Sequence, residues 1–132
     1  MSKREHRELK IHIAVAQHLR TRAVSGLVWW HTPNGGFRDK REAAKFKAMG
    51  LQPGVSDFIF VHANRIYALE LKAEGGRASE AQLKFLSDIN AAGAYTAMPA
   101  GLNAALRTLE TWGLIKPAVI MKSILQNMEA AE

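Results

Sequence analysis

From Glu5 to Arg20 the apolar residues Leu9, Ile13 and Ala16, with Val15 and Leu19 alongside, recur at three- and four-residue intervals. That period predicts an amphipathic helix with one face toward a core. Glu8 lies on the stripe of His12, Val15 and Leu19, so its carboxylate is expected at the N-terminal end of the buried face. The pattern then shortens. LVWWHT, 27–32, predicts a short strand, stopped by the turn residues Pro33-Asn34-Gly35-Gly36. RDKREAAKFKAMG, 38–50, reads as a short basic helix closed by Gly50, and LQPGVS as a loop. DFIFVH, 57–62, and RIYALELK, 65–72, predict two strands separated by Ala63-Asn64.

Gly75-Gly76 ends the second of these strands. Ser79 followed by Gln82 has the spacing of a capping box and opens a helix over 79–92, with Leu83, Leu86 and Ile89 expected inward and Gly93 at its end. AYTAMPA, 94–100, is a further strand and LNAALRTLETW, 102–112, a last amphipathic helix. The order α, β, α, ββ, α, β, α predicts an α/β fold, a small mixed β-sheet flanked by helices. Residues 1–116 are expected to form one domain. Residues 117–132 form an apolar-to-acidic tail, a candidate helix with nothing local to pack on.

Composition narrows the class. With 48% apolar and 23% charged residues, and no apolar run near the ~20 residues that span a bilayer, the chain reads as a globular protein rather than a membrane-embedded one. Cysteine is absent, which removes disulfides and thiolate metal sites, and MSKREHRELK has no apolar segment of a secretory signal behind it. A cytoplasmic setting is expected. The formal net charge of +6 is unevenly spread: residues 1–50 hold eleven Lys/Arg against four Asp/Glu, and the rest of the chain seven against eight. The basic half is expected to face a polyanion such as nucleic acid.

The candidate chemistry sits in the two central strands. If Ala63-Asn64 is a two-residue hairpin loop, His62 pairs with Arg65 and Asp57 falls directly opposite Glu70. Opposed like charges with Cβ atoms about 4.5–5.5 Å apart are destabilising. By the period of two, Lys72 continues the same face. Two close carboxylates share a proton or bind a cation, and hard oxygen ligands with no His or Cys partner in view favour Mg²⁺ or Mn²⁺. The alternative is a same-face ion pair of Glu70 and Lys72 at a sheet edge.

At these residues the sequence resembles the PD-(D/E)XK nuclease superfamily and, within it, the VRR-NUC family. The resemblance rests on Glu8, HTPNGG, KAMGLQPGVSD, ALELKAEGGRASEAQ and the helix that follows, spread over residues 5–100. It implies a restriction-endonuclease-like core and a Mg²⁺-dependent phosphodiesterase. Asp57 and Glu70 would be metal ligands, the carbonyl of Leu71 would complete the coordination, and Lys72 would assist the attacking water. Glu8 would reach the site as a further ligand or water-orienting group, with Gln82 near it. Ser56 stands where the superfamily pattern has proline, which puts only the local backbone in question.

The remaining residues each carry an alternative. Gln82 also fits as the third helical residue of the Ser79 capping box, and Glu5, one turn earlier, could replace Glu8. Asn34, Gly35 and Gly36 form a turn that could also approach phosphate. His6, His12 and His18 are too far apart around a helix to share a metal and are expected at the surface or boundary. Arg38, Lys40, Arg41, Lys45 and Lys47 are expected to position DNA through its phosphates. Trp29 and Trp30 are expected in the core or an interface rather than as base-stacking platforms. The resemblance implies a DNA endonuclease, structure-specific on branched DNA such as Holliday junctions, in a bacterial or phage-infected cell. It would act as a homodimer through the tail residues Val119, Ile120, Ile124, Leu125 and Met128. The alternatives are a non-catalytic DNA-binding module of the same fold and a nuclease of linear duplex.

Overall fold

A computed structural model describes residues 1–33 and 39–131, without the side chains of 119–124. Helix α1 (Lys3–Arg22) starts earlier than the apolar period indicates. Ser2 and Glu5 form a reciprocal capping box that satisfies two of its open backbone donors. Next come β1 (Val28–His31), α2 (Lys40–Ala48), β2 (Phe58–His62) and β3 (Arg65–Leu69). They are followed by α3 (Glu80–Ala91), β4 (Tyr95–Ala97), α4 (Leu102–Thr111) and α5 (Ala118–Ala130).

The strands form one mixed sheet in the order β1-β2-β3-β4, with β1, β2 and β3 antiparallel and β4 parallel to β3. Helix α3 makes the crossover that a parallel pair requires and packs on β4. The β2–β3 turn is Ala63-Asn64, both with positive φ (49° and 65°), the backbone of a tight hairpin turn. The register follows: His62 pairs with Arg65 and Phe58 with Leu69, the pairing expected from sequence.

One sheet face carries the core. Phe58, Phe60, Tyr67 and Leu69 are buried against Val15, Ala16 and Leu19 of α1 and Ala105 and Leu109 of α4. Each fully buried large apolar side chain contributes about 1.5–3 kcal/mol. The inward stripe of α1 runs Glu8, His12, Val15, Leu19 and ends on Arg22, whose guanidinium bonds Glu110 and the Lys116 carbonyl. Leu9 and Ile13, expected inward, lie off that stripe and are 44% and 49% exposed. Leu83, also expected inward, lies off the packed face of its helix. The stripe of α3 that meets the sheet runs through Gln82, Phe85, Leu86 and Ile89, which leaves Leu83 52% exposed. Trp29 is half-buried on Phe58 as expected, but Trp30 points the other way along the strand and is 46% exposed.

Candidate active site

The hairpin register places Asp57 and Glu70 one residue beyond the last ladder pair, Phe58 with Leu69. Both side chains line one concavity of about 490 Å³, so they do not point to opposite sides of the sheet. Beyond Leu69 the chain stays beside β4. The amides of Glu70 and Lys72 donate to the Ala97 and Pro99 carbonyls at 3.0 and 3.1 Å. By strand alternation the N–H and C=O of Leu71 face the other way, toward β2. There the Leu71 amide donates to Asp57 Oδ2 at 2.7 Å. One Asp57 oxygen is thus held by backbone, and the Leu71 carbonyl faces the same side.

The remaining walls come from helices. Glu5, Glu8, Leu9 and His12 line the concavity from α1, and Gln82 lines it from α3. Gln82 satisfies both roles weighed for it. Its Oε1 accepts from the Ser79 amide at 2.9 Å and from Lys72 Nζ at 3.0 Å, while its Nε2 donates to Glu70 Oε1 at 2.7 Å. The Lys72 ammonium stands 3.5 Å from that same Glu70 oxygen. The amide is therefore a bridge between acid and amine, and the cap pins it.

Two glycines set these walls. Gly54 (φ +75°) lies so close to the first turn of α3 that a Cβ there would sit 2.3 Å from the Ala81 carbonyl carbon and 2.6 Å from the Gln82 amide. At Gly76 a Cβ would meet the Ala73 carbonyl at 3.0 Å and Glu8 Oε1 at 3.3 Å. Glu8 thus rests against the loop that leaves β3. Glu5 also reaches the concavity, but its carboxylate accepts from the Ser2 amide at 2.6 Å, and that bond holds it below the usual carboxylate range. Ser56 is fully buried, and among the described residues its Oγ has no hydrogen-bond partner. It fills the approach to Asp57 as a small core residue.

Burial raises the Glu70 carboxyl to about 7, with the neighbouring charge of Asp57 as second cause and Lys72 opposing. Burial likewise raises Asp57, against the Leu71 amide bond and the nearby cations. The pair therefore resists carrying two negative charges unless a cation joins it. Two carboxylates and a backbone carbonyl form a hard-oxygen set that fits Mg²⁺ or Mn²⁺. Among the described residues no three His, Asp or Glu side chains are grouped to hold a metal. A bound ion would then complete its shell with carbonyl oxygen and water, as Mg²⁺ commonly does.

Two side chains escaped the sequence reading. His12, placed there at the surface or boundary, lines the site, and so does His31, the last residue of β1. Their rings meet edge to face with centroids 4.2 Å apart, and His12 also packs on Phe58 at 4.5 Å. His31 Nδ1 lies 2.9 Å from the Asp57 carbonyl, an acceptor only, so that nitrogen carries the proton. Burial, followed by the nearness of His31, lowers the pKa of His12. The signal for His12 was its place on the Glu8 stripe; for His31 it was the pairing of β1 with β2, which the sequence does not encode locally. Lys40, Arg41, Lys45 and Lys47 are exposed on or at the start of α2 and do not line the concavity. Asn34, Gly35, Gly36 and Arg38 lie outside the described residues.

Among solved structures the fold matches one described as a VRR_NUC domain protein, with a TM-score of 0.65 and 21% identity, covering 78% of this chain and 84% of that one. At that identity the likeness is one of fold, and it agrees with the mixed α/β core expected from sequence. No protein-family model matches the sequence, and no curated protein matches it. Among the described residues no helix is long and apolar enough to cross a membrane.

Proposed function

We propose that the chain is a divalent-metal-dependent endonuclease that hydrolyses phosphodiester bonds of DNA. The observation that carries this reading is the convergence of Asp57, Glu70 and Lys72 on one concavity, with two carboxylates raised by burial and an amine fixed beside them. A same-face ion pair accounts for Glu70 and Lys72, but it leaves the second carboxylate unexplained. The fold likeness to a VRR_NUC domain protein supports the same reading.

Asp57, Glu70 and the Leu71 carbonyl would hold Mg²⁺ or Mn²⁺, with Glu8, which lines the same concavity, orienting a water rather than joining the ion. When bound, the ion supplies charge to the phosphoryl oxygens and acidity to a coordinated water. The chain supplies the rest. Gln82 donates to Glu70 Oε1 and accepts from Lys72 Nζ, which fixes both side chains and leaves the ammonium further protons to donate. Lys72 is then placed to donate to a phosphate oxygen or to orient the attacking water. The exposed Lys40, Arg41, Lys45 and Lys47 would hold flanking phosphates.

Branched DNA, such as a Holliday junction, is the substrate class suggested by the VRR-NUC resemblance. Two equivalent cuts across such a junction call for a two-fold dimer. Helix α5 supports that assembly with Leu125 and Met128 exposed at 54% and 62%. The test is a cleavage panel of four-way junction, flap and linear duplex with and without Mg²⁺. The expected result is cutting only with the ion, and fastest on the junction. Equal rates on all three would remove the branch preference. DNA binding without any cutting would identify a non-catalytic module.

A further inference from the structure

A second concavity lies one residue away from the first, lined by Arg7, Lys10, Ile11, Ala73, Glu74 and Gly101. Sequence neighbours divide between the two: Glu8 and His12 face the catalytic side while Arg7 and Ile11 face the other, and Lys72 faces the first where Ala73 faces the second. Consecutive Cα atoms are about 3.8 Å apart, so the shared wall is one backbone thick. The ion pairs among the described residues involve Arg22, Lys72 and Lys84, and neither Arg7 nor Lys10 is in one. Two cations that are in no ion pair among the described residues thus share a groove with Ile11, Ala73, Gly101 and one carboxylate, Glu74, next to the concavity that Asp57 and Glu70 line.

We propose that this groove carries the nucleic-acid backbone next to the scissile bond, with Arg7 and Lys10 on its phosphates and Glu74 opposing them from the rim. The inference rests on the nuclease reading and adds a path for the strand. The polyanion runs along the Arg7 and Lys10 edge of α1 as well as past the basic α2 that the charge distribution singles out. The groove adjoins the concavity that the nuclease reading gives to the scissile phosphate, so a phosphodiester chain held in one continues into the other. Glu74 gives the proposal its most specific consequence. A carboxylate on a phosphate path weakens binding, so neutralising it strengthens binding.

The test measures the affinity of the full chain for a fluorescent DNA duplex in EDTA, where cutting is suppressed, over a range of salt. Arg7→Ala with Lys10→Ala is expected to weaken binding about tenfold and to lower the salt slope by roughly two. Glu74→Gln is expected to tighten binding severalfold, a gain that misfolding cannot produce. Arg65→Ala with Lys84→Ala removes the same charge at the hairpin end and on the outer side of α3, and is expected to change affinity far less. Equal weakening by the two double variants, or no gain in Glu74→Gln, overturns the groove. A wild-type chain that binds as described but never cuts with Mg²⁺ overturns the nuclease reading instead and leaves the groove standing.

Discussion

The carboxylate of Glu70 is buried, faces the charge of Asp57, and has Lys72 at 3.5 Å. Its folded pKa, about 7, lies above the 4.5 of the free side chain, so between those values the folded chain binds a proton that the unfolded chain releases. This group's stabilisation is therefore complete below pH 4.5 and is lost as pH rises through about 7, a term on the order of 3 kcal/mol. Asp57 shifts in the same direction. Glu70→Gln keeps the acceptor for Gln82 and removes the titration. In metal-free buffer the wild type is expected to lose thermal stability relative to Glu70→Gln between pH 5 and 7.5, as followed by unfolding midpoints. A difference that stays flat over that range would mean that Glu70 ionises without strain and needs no cation.

At the scale of elements, the site depends on where α3 begins. Gly54 lies flat against the first turn of that helix, and the turn holds the Ser79 cap that pins Gln82. Gly54→Ala adds a Cβ 2.3 Å from backbone, in a φ region that side chains avoid, so the loop or the helix must move. The expected cost is about 2–4 kcal/mol in denaturant unfolding. Activity should fall further than stability alone explains, because Gln82 moves with the turn. An unchanged unfolding midpoint would show that the contact is not what seats the helix. In the sequence this glycine reads as ordinary loop chemistry, because the close approach joins residues far apart along the chain. The hairpin was legible for the opposite reason: Ala63-Asn64 and two alternating strands fix the register locally, and Asp57 meets Glu70 as a consequence.

For the whole molecule, the alternation of helices and strands was enough to give a mixed sheet with helices around it, and the fold likeness to a VRR_NUC domain protein agrees. What the pattern left out is tertiary. Apolar spacing put Ile13 and Leu83 inward because it scores a residue's type. The actual stripes run through Glu8, His12 and Gln82, half-buried polar residues that line the site. His31 joined the site through β1, whose partner strand lies beyond a basic helix and a loop. The charge asymmetry now has geometry as well. The acids that would hold an ion share a concavity with residues of α1 and α3, and Arg7 and Lys10 of α1 line the groove next to it.

The central claim is that Asp57 and Glu70 together hold the ion that makes DNA hydrolysis possible. The direct test is Mg²⁺-dependent cutting of a fluorescent DNA junction by wild type and by Asp57→Asn, which retains the shape of the side chain and the acceptor for Leu71. The expected result is a rate at least ~10³-fold lower in the variant, since it removes one of two carboxylates from the ion, while DNA affinity in EDTA is kept or raised. Cutting by Asp57→Asn at the wild-type rate would contradict the claim.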